Sequence, residues 1–240
     1  MLSIKKYAAI DIGSNAVRLL ITSIIEEKGK PTRFKKTSLV RVPIRLGADV
    51  FIENSISKTN TLRLVDTMKA FYLLMKSHNV ERYKACATSA MREADNGKKV
   101  VKKIFKKSKV KVDIISGKEE AAIITTTDLS KIIDRNKTYL YVDVGGGSTE
   151  FTIINNGKAI ASKSAKIGTV RLLNNIVKEK TWLDVEKWIK TNTKQFENIE
   201  VLGSGGNINK IFKVSGKEVG EPLTYFYLTA YYNLLQLYSY

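Results

Sequence analysis

The sequence is poor in the residues from which disulfides and histidine metal sites are made. Its 240 residues include one cysteine, Cys86, and one histidine, His78. A single cysteine excludes an internal disulfide and is typical of a reducing compartment. A single histidine excludes a site with several histidine ligands. Any metal would therefore be a hard ion held by carboxylate oxygens.

Long apolar runs are missing as well. No stretch approaches the about 20 apolar residues that cross a membrane, and the N-terminal residues lack the apolar segment of a signal peptide. Together with the single cysteine, these absences predict a cytoplasmic protein with no membrane partner. The 43% hydrophobic content is ordinary for a globular protein, and the length suffices for two modest domains.

Positive charge is abundant. The chain carries 41 lysines and arginines against 23 aspartates and glutamates, a formal charge of +18. Such an excess attracts and concentrates polyanions. We find no zinc-finger spacing, no aromatic-basic RNA-binding signature and no convincing helix-turn-helix, so no specific nucleic-acid partner is predicted.

A glycine-rich stretch in the middle of the chain predicts an anion site. Apolar residues lead into Asp143, three glycines follow, and Ser148, Thr149 and Glu150 precede a second strand-like run. We interpret this as strand, tight turn, strand, because glycines without Cβ let backbone N–H groups crowd around an anion. Asp143 and Glu150 would add oxygen donors that suit Mg²⁺ or Mn²⁺. A glycine-rich hairpin with surface acids is the alternative.

The same pattern occurs near the N-terminus. Residues 11–21 match residues 143–153 in register, with an aspartate, a branched apolar residue, a glycine, a turn of small residues and a closing isoleucine. A repeat separated by about half the chain favours a duplicated unit over a short-period solenoid. Two such hairpins facing each other would form a cleft.

Hydrophobic periodicity predicts two units of strands and helices. The predicted order in the first is βββαβαβα, with a helix from Ser57 to about Ser77, a short strand at 110–115 and a last helix from about Lys118 to Ile133. The second starts with three strands at Thr138. The segments that follow are helices at 168–177 and 183–196, with Asp184 as a start signal, a strand at 199–202, a short helix and a tyrosine-rich helical tail at 223–240. Strand-to-helix junctions at 88–89 and 204–206 would add helix N-termini to an anion site.

Five blocks in order carry a resemblance to a known family. They are Asp-Ile-Gly-Ser-Asn at 11–15 with Arg18, Ala-Thr-Ser-Ala-Met-Arg-Glu-Ala at 87–94 with Asn96, Ser-Gly-Lys-Glu-Glu-Ala at 116–121, Asp-Val-Gly-Gly-Gly-Ser-Thr-Glu at 143–150, and Gly-Ser-Gly-Gly-Asn at 203–207. Up to about residue 215, the chain resembles the exopolyphosphatase / guanosine pentaphosphate phosphatase (Ppx/GppA) family of the actin-like ATPase-domain superfamily.

The resemblance implies an α/β protein with two duplicated ribonuclease-H-like domains. Each would be a mixed sheet with helices on both faces, and the active site would lie in the cleft between them. We place the domains at 1–125 and 126–240. Family members continue past the last block with a strand and helices, so the second domain is expected to be incomplete at its C-terminus. A homodimer is compatible with this expectation.

The resemblance also implies roles for individual residues. Glu120 maps to the catalytic glutamate, and Asp143 and Glu150 map to the metal-associated acids. The phosphate-binding positions are Ser14, Asn15, Arg18, Arg92, Gly145, Gly146, Gly147 and Ser148. Glu120 would lie in the first turn of a helix, where the helix dipole favours the ionised carboxylate that a general base requires. Glu119 is interpreted as a solvated surface acid.

The function expected from these residues is Mg²⁺-dependent hydrolysis of the terminal phosphoanhydride of inorganic polyphosphate. Guanosine pentaphosphate is the alternative substrate, because the same site would serve it. A kinase or chaperone-type ATPase of the same superfamily is disfavoured by the Glu-Glu pair and the block at 87–92. A non-catalytic module that binds polyphosphate or nucleotide is the last alternative.

Overall fold

The computed structural model describes residues 2–126, 133–218 and 220–238. It confirms the predicted α/β class, with two mixed sheets and helices. The first part contains β1 (Leu2–Ile12), β2 (Val17–Glu27), β3 (Arg33–Val42), α1 (Leu46–Glu53), α2 (Lys58–Ser77), β4 (Arg82–Ala87), α3 (Ser89–Glu93), α4 (Gly97–Ser108), β5 (Asp113–Ile114) and α5 (Gly117–Thr126). The second contains β6 (Thr138–Val144), β7 (Thr149–Asn155), β8 (Lys158–Ala165), α6 (Thr169–Leu173), α7 (Glu179–Thr193), β9 (Ile199–Gly205), α8 (Gly206–Val214) and α9 (Tyr225–Gln236).

The two sheets share one topology. The first has the strand order β3-β2-β1-β4-β5 and the second β8-β7-β6-β9. In each, an antiparallel hairpin is extended by an antiparallel third strand on one side and by a parallel strand on the other. Parallel pairing requires a long crossover, which the helices between β3 and β4 and between β8 and β9 supply.

The duplication extends to details of the backbone. The first hairpin closes with the Gly13 amide donating to the Ala16 carbonyl at 3.1 Å, and the second with the Gly145 amide donating to the Ser148 carbonyl at 2.9 Å. In each unit the pairing of the second strand with the third also shifts in register, just after Ile21 in β2 and just after Ile153 in β7. These isoleucines correspond in the aligned repeats.

Each sheet has its own apolar core. The inward side chains of β1 and β2 pack with α2 and α4 around residues such as Leu64, Met68 and Ile104, all fully buried. The core of the second sheet is smaller and gathers around Phe151 and Ile153. The amphipathic pattern of α2 predicts its placement correctly, and the hydroxyl of Ser57 caps this helix by accepting from the Asn60 amide at 3.1 Å.

Several predicted boundaries are wrong. The helix expected to start at Asp184 begins at Glu179 instead. Helix α1 was not predicted; its N-cap is Arg45, a residue with φ 61° whose side chain makes no capping bond, so the usual start signal is missing. The strand expected at 110–115 pairs only at Asp113–Ile114. Of the helix expected from Lys118 to Ile133, positions 127–132 lie outside the described residues.

The tyrosine-rich tail forms α9 over Tyr225–Gln236, and none of its residues is buried. The last two positions of the predicted tail, 239–240, lie outside the described residues. Across the described parts of the chain, none of the helices combines the length and apolarity needed to span a bilayer. The boundary placed near residue 125 stays a prediction; α5, just before it, packs against β7 and β8 of the second sheet.

Candidate active site

A cleft between the two sheets contains both glycine turns. It has a volume of about 230 Å³ and is also lined by α5 and by the first residues of α8. That volume is below the about 300–1,000 Å³ of pockets that enclose drug-sized ligands. The cleft therefore suits the charged end of a ligand better than a whole large molecule.

One wall of the cleft carries a row of charges on the first sheet. Asp11 lies opposite Arg18 on β2, and Arg18 lies opposite Arg41 on β3. Side chains opposite each other on antiparallel strands point to the same face, and all three line the cleft. Arg18 lies 3.7 Å from the Asp11 carboxylate. Burial in the cleft raises the pKa of Asp11, Arg18 lowers it, and nearby Asp143 raises it further, with a net upward shift.

The corresponding row on the second sheet is acidic. Asp143 lies opposite Glu150, and Glu150 lies opposite Ser164. Glu150 is 2% exposed, and its Oε1 accepts hydrogen bonds from the hydroxyls of Ser148 at 2.7 Å and Ser164 at 2.9 Å. Burial raises the pKa of Glu150 although both hydroxyls oppose the shift. Position 150 of the second repeat corresponds to Arg18 of the first.

Glu120 enters the cleft from the first turn of α5. Its neighbour Glu119 forms a capping box with Ser116, whose amide donates to the Glu119 carboxylate at 2.7 Å while its hydroxyl accepts from the Glu119 amide at 3.2 Å. This interaction points Glu119 away from the cleft. Glu120 Oε2 lies 3.5 Å from the Arg92 guanidinium, without hydrogen-bond geometry, and is buried with no hydrogen-bond partner in the described part of the chain.

The pKa of Glu120 contradicts the expectation of a carboxylate kept ionised by the helix dipole. Burial and the neighbouring Glu150 raise this pKa to about 7, although Arg92 opposes the shift. Desolvation and like charge therefore outweigh the helix N-terminus. A carboxylate whose pKa lies near neutral pH can accept a proton efficiently as a general base.

Backbone donors remain unpaired in both turns. The amides of residues 14 and 15 and of residues 146–148 have no acceptor in the described parts of the chain. The Gly145 amide is already used by the Ser148 carbonyl. An unpaired amide in a cleft is costly unless water or an anion satisfies it, so these donors are suited to an anion held between the turns.

The second glycine turn lies directly against the first unit. A Cβ on Gly147 would lie 2.2 Å from the Phe51 ring and 2.6 Å from the Ser89 hydroxyl, and a Cβ on Gly146 would lie 3.1 Å from the Ser14 Cβ. The Ser89 hydroxyl is itself hydrogen-bonded to that of Ser14 at 2.8 Å. Glycine at position 147 thus fits the close approach of this turn to α1 and α3 of the first unit.

A buried arginine joins the two units behind this turn. Arg171 in α6 is 8% exposed; its Nε donates to the Gly147 carbonyl at 2.6 Å and its Nη2 donates to both Glu93 oxygens at 2.7 and 2.8 Å. Its guanidinium lies 3.9 Å above the Phe51 ring. Burial opposes ionisation of Glu93, but hydrogen bonds from Lys166 and Arg171 hold its pKa below the usual value.

Comparison with known proteins identifies the chain. Residues 24–198 match the model of the Ppx/GppA phosphatase family. The chain belongs to the Ppx/GppA family. The family predicted from the five sequence blocks is therefore confirmed.

Many curated proteins are similar to this Ppx/GppA chain, including the following three. A bifunctional 3-dehydroquinate synthase/phosphatase of Fusobacterium nucleatum is 33% identical over 208 residues, covering 81% of this chain and 31% of that protein. A guanosine-5'-triphosphate,3'-diphosphate pyrophosphatase of Photobacterium profundum is 32% identical over 174 residues, covering 72% and 34%. Exopolyphosphatase 2 of Mycobacterium tuberculosis is 28% identical over 186 residues, covering 71% and 54%. The chain thus spans about a third to a half of these relatives' lengths.

A solved structure has the same fold. The crystal structure of the Aquifex aeolicus member of the Ppx/GppA family aligns with a TM-score of 0.75 at 22% identity, covering 98% of this chain and 80% of that one. Two similar units of mixed sheet and helices, as expected from the sequence, are therefore the observed fold.

The Ppx/GppA cleft fits a hard divalent cation. Its charged lining consists of four carboxylates and two guanidinium groups, namely Asp11, Glu120, Asp143 and Glu150 against Arg18 and Arg41. A phosphate chain would meet net negative charge there unless a cation intervened. No cluster of three or more acidic, histidine or cysteine side chains with metal-ligand spacing exists among the described residues. Mg²⁺ needs only one or two carboxylates, because substrate oxygens and water complete its shell.

Most of the predicted site residues of this family member line the cleft. These are Ser14, Asn15, Arg18, Glu120, Asp143, Gly145, Gly146, Ser148 and Glu150. Gly147 and Arg92 lie beside the lining, the first against Phe51 and the second against Glu120. The sequence reasoning missed Arg41, Ser164 and Arg171. Arg41 and Ser164 could have been found by extending the strand register across β3 and β8, whereas no local pattern marks Arg171.

Proposed function

We propose that this Ppx/GppA chain carries the catalytic site of a phosphoanhydride hydrolase that removes the terminal phosphate of inorganic polyphosphate. The observation that supports this most is the meeting, in one cleft, of two turns with unpaired amides and a carboxylate, Glu120, with a near-neutral pKa. Phosphoryl transfer needs charge stabilisation, an in-line geometry and an oriented nucleophile. The cleft contains residues suited to each of these three requirements.

In this proposal the terminal phosphate lies between the turns at 13–16 and 145–148. The unpaired amides donate to its oxygens from two sides, and preorganised donors of this kind stabilise developing charge without rearrangement. Arg18 and Arg41, on the opposite side of the cleft from the acids of the second sheet, meet the phosphates that follow. The leaving chain is thereby held in line.

Glu120 is the proposed general base. Its unpartnered Oε2 accepts the proton of a water that attacks the terminal phosphorus. Arg92, 3.5 Å away, orients the carboxylate and stabilises its ionised form. Arg92 also donates to the Ile115 carbonyl at 2.7 Å, which fixes the guanidinium beside α5.

Asp143 and Glu150 are the proposed holders of Mg²⁺ or Mn²⁺. When bound, the ion would neutralise charge on the phosphate oxygens. Glu150 Oε1 is already satisfied by two hydroxyls, so Oε2 is the oxygen that remains for the cation or its waters. Ser148 and Ser164 thus orient the carboxylate for this role.

Guanosine pentaphosphate is the second candidate substrate. Gly205, Gly206 and Asn207 at the start of α8 line the same cleft and offer a place for groups beyond the phosphates. One relative is named a guanosine-5'-triphosphate,3'-diphosphate pyrophosphatase and another an exopolyphosphatase. The charge of +18 favours the long polyanion.

The function is tested by release of orthophosphate from polyphosphate, guanosine pentaphosphate and ATP, assayed side by side with and without Mg²⁺. We expect Mg²⁺-dependent release with the highest kcat/KM on polyphosphate. Binding of polyphosphate without release would identify a binding module instead. The highest kcat/KM on guanosine pentaphosphate would assign the alternative substrate.

Activity should depend on pH through Glu120. A base must be ionised, and its pKa is raised to about 7, so kcat/KM should fall as the pH drops below about 7, in proportion to the ionised fraction. The groups that surround this carboxylate are Glu150, Asp11 and Arg92. The measurement is a pH–rate profile between pH 5 and 9. A rate that stays nearly level down to pH 5, as for a glutamate with the ordinary pKa of about 4.3, would contradict the assignment.

Salt should discriminate between the two substrates. Contacts of Lys and Arg with a long phosphate chain release counterions and weaken steeply as salt rises. We therefore expect KM for long polyphosphate to increase strongly between low and physiological ionic strength. KM for tripolyphosphate, measured in parallel, should respond less because fewer contacts form. A flat response for both would favour a small nucleotide substrate.

A further inference from the structure

Arg171 differs from Arg18 and Arg92 because hydrogen bonds, rather than ion pairs of 3.5–3.7 Å, join it to its carboxylate partner. Its side chain is 10% exposed and pairs with Glu93, which a second cation, Lys166, also contacts at 2.9 Å. Lys166 is 70% exposed. A guanidinium engaged with a carboxylate through two hydrogen bonds and stacked on Phe51 has little freedom to turn toward a substrate phosphate.

The same side chain fixes one peptide group of the glycine turn. Its Nε donates to the Gly147 carbonyl at 2.6 Å. A peptide is planar, so fixing this carbonyl also fixes the direction of the following amide, that of Ser148. The turn is tied to α6 at two further points, because the amides of Thr169 and Val170 donate to the carbonyls of Gly145 and Gly146.

Glu93 and Phe51 belong to the first unit, in α3 and α1, whereas Arg171 and Gly147 belong to the second. We propose that Arg171 is a positioning residue. Held by Glu93 and Phe51, it orients the amides of the glycine turn toward the cleft. The orientation of these amides therefore depends on how the two units pack against each other. This inference rests on the proposed function for its kinetic readout. It gives a role to a residue that touches no reacting atom.

The test uses the full chain with four variants, Arg171→Lys, Arg171→Gln, Glu93→Gln and Lys166→Gln. Lysine keeps the charge but lacks the planar fork and the Nε donor. We expect both Arg171 variants to lose about 10–10²-fold in kcat, with a much smaller change in KM, because turn amides matter most where charge develops. Glu93→Gln should lose less, in the same direction.

Lys166→Gln is the matched control, since it removes one positive charge from Glu93 without touching the turn, and it should retain the activity of the parent. If Arg171→Lys were as active as the parent, Arg171 would act only as a charge and the inference would fail. It would fail equally if Lys166→Gln lost as much as Arg171→Gln.

A second readout is independent of hydrolysis. The amides of Gly145 and Val170 are hydrogen-bonded to Ser148 and Gly146 and report the order of the turn by hydrogen exchange. In Arg171→Lys they should exchange at least about tenfold faster, while the amides of β1 and β2 stay unchanged. Unchanged exchange at the turn would overturn the inference. Altered exchange in a chain that releases no phosphate would uphold it and reject the proposed hydrolase.

Discussion

Replacing Glu120 with glutamine is expected to lower kcat by a factor on the order of 10²–10⁴, the usual contribution of a general base. Glutamine keeps the size of the side chain and can still meet the Arg92 guanidinium through its carbonyl oxygen, but it cannot take a proton from water. Binding of polyphosphate should therefore be largely preserved. The measurement is phosphate release under saturating substrate, with binding followed separately.

Glu119→Gln is the matched control for this prediction. Glutamine at that position retains the capping box with Ser116, and the side chain points away from the cleft. We expect near-parental turnover. Equal losses in both variants would indicate damage to α5 rather than loss of a base, and undiminished turnover in Glu120→Gln would remove Glu120 from the role.

The Glu120→Gln variant should also be more stable than the parent at high pH. Glu120 has a raised pKa of about 7 in the folded chain against 4.5 when unperturbed, so its ionisation opposes folding increasingly as the pH rises from about 4.5 to above 7. Removing the charge should add on the order of 1–3 kcal/mol at pH 8, since one pKa unit corresponds to about 1.4 kcal/mol. At pH 5 the gain should be small. Thermal unfolding at both pH values measures it.

Replacing Gly147 with alanine should have a comparably large effect for a steric reason. The new methyl group would lie 2.2 Å from the Phe51 ring and 2.6 Å from the Ser89 hydroxyl, so either the ring or the turn must move. Phe51 is held by its contact with Arg171, so the turn is displaced as well. Because misplacement by about 1 Å can cost 10²-fold, we expect kcat/KM to fall by at least about 10²-fold.

Gly206→Ala provides the control for this substitution. Gly206 lines the cleft, but a Cβ there would meet nothing within 4 Å. Its variant should keep most of its activity and melt near the parent temperature. Parental activity in Gly147→Ala would show that the two units do not need this close approach during turnover.

Local sequence patterns predict the repeated parts of this fold well. A duplicated strand–turn–strand motif is specified by neighbouring residues, and its alternation and glycines predict both hairpins and most of the acids in the cleft. The helix α2 is predicted for the same reason, because its cap at Ser57 and its apolar stripe lie within one segment. The five blocks identify the family because each is short and contiguous.

Features that depend on residues far apart in the sequence cannot be predicted from local patterns. Helix α1 has no capping side chain and is anchored instead by amides of Arg45 and Gly47 that donate to the carbonyls of Asn15 and Ser14. The contact between Arg171 and Glu93 joins residues 78 positions apart, so no spacing rule reveals it. The pKa of Glu120 depends on burial beneath another element, which reverses the shift expected from its helix position alone.

The two hairpins are repeats of one unit, yet the position opposite their first-strand aspartate holds arginine in one and glutamate in the other. Two identical hairpins would create a potential symmetric about the cleft, and an elongated anion could then lie in either direction with equal energy. Because Arg18 of the first hairpin corresponds to Glu150 of the second, the two directions differ in energy. The groove therefore has a polarity, and an elongated anion bound as proposed would meet different surroundings at its two ends.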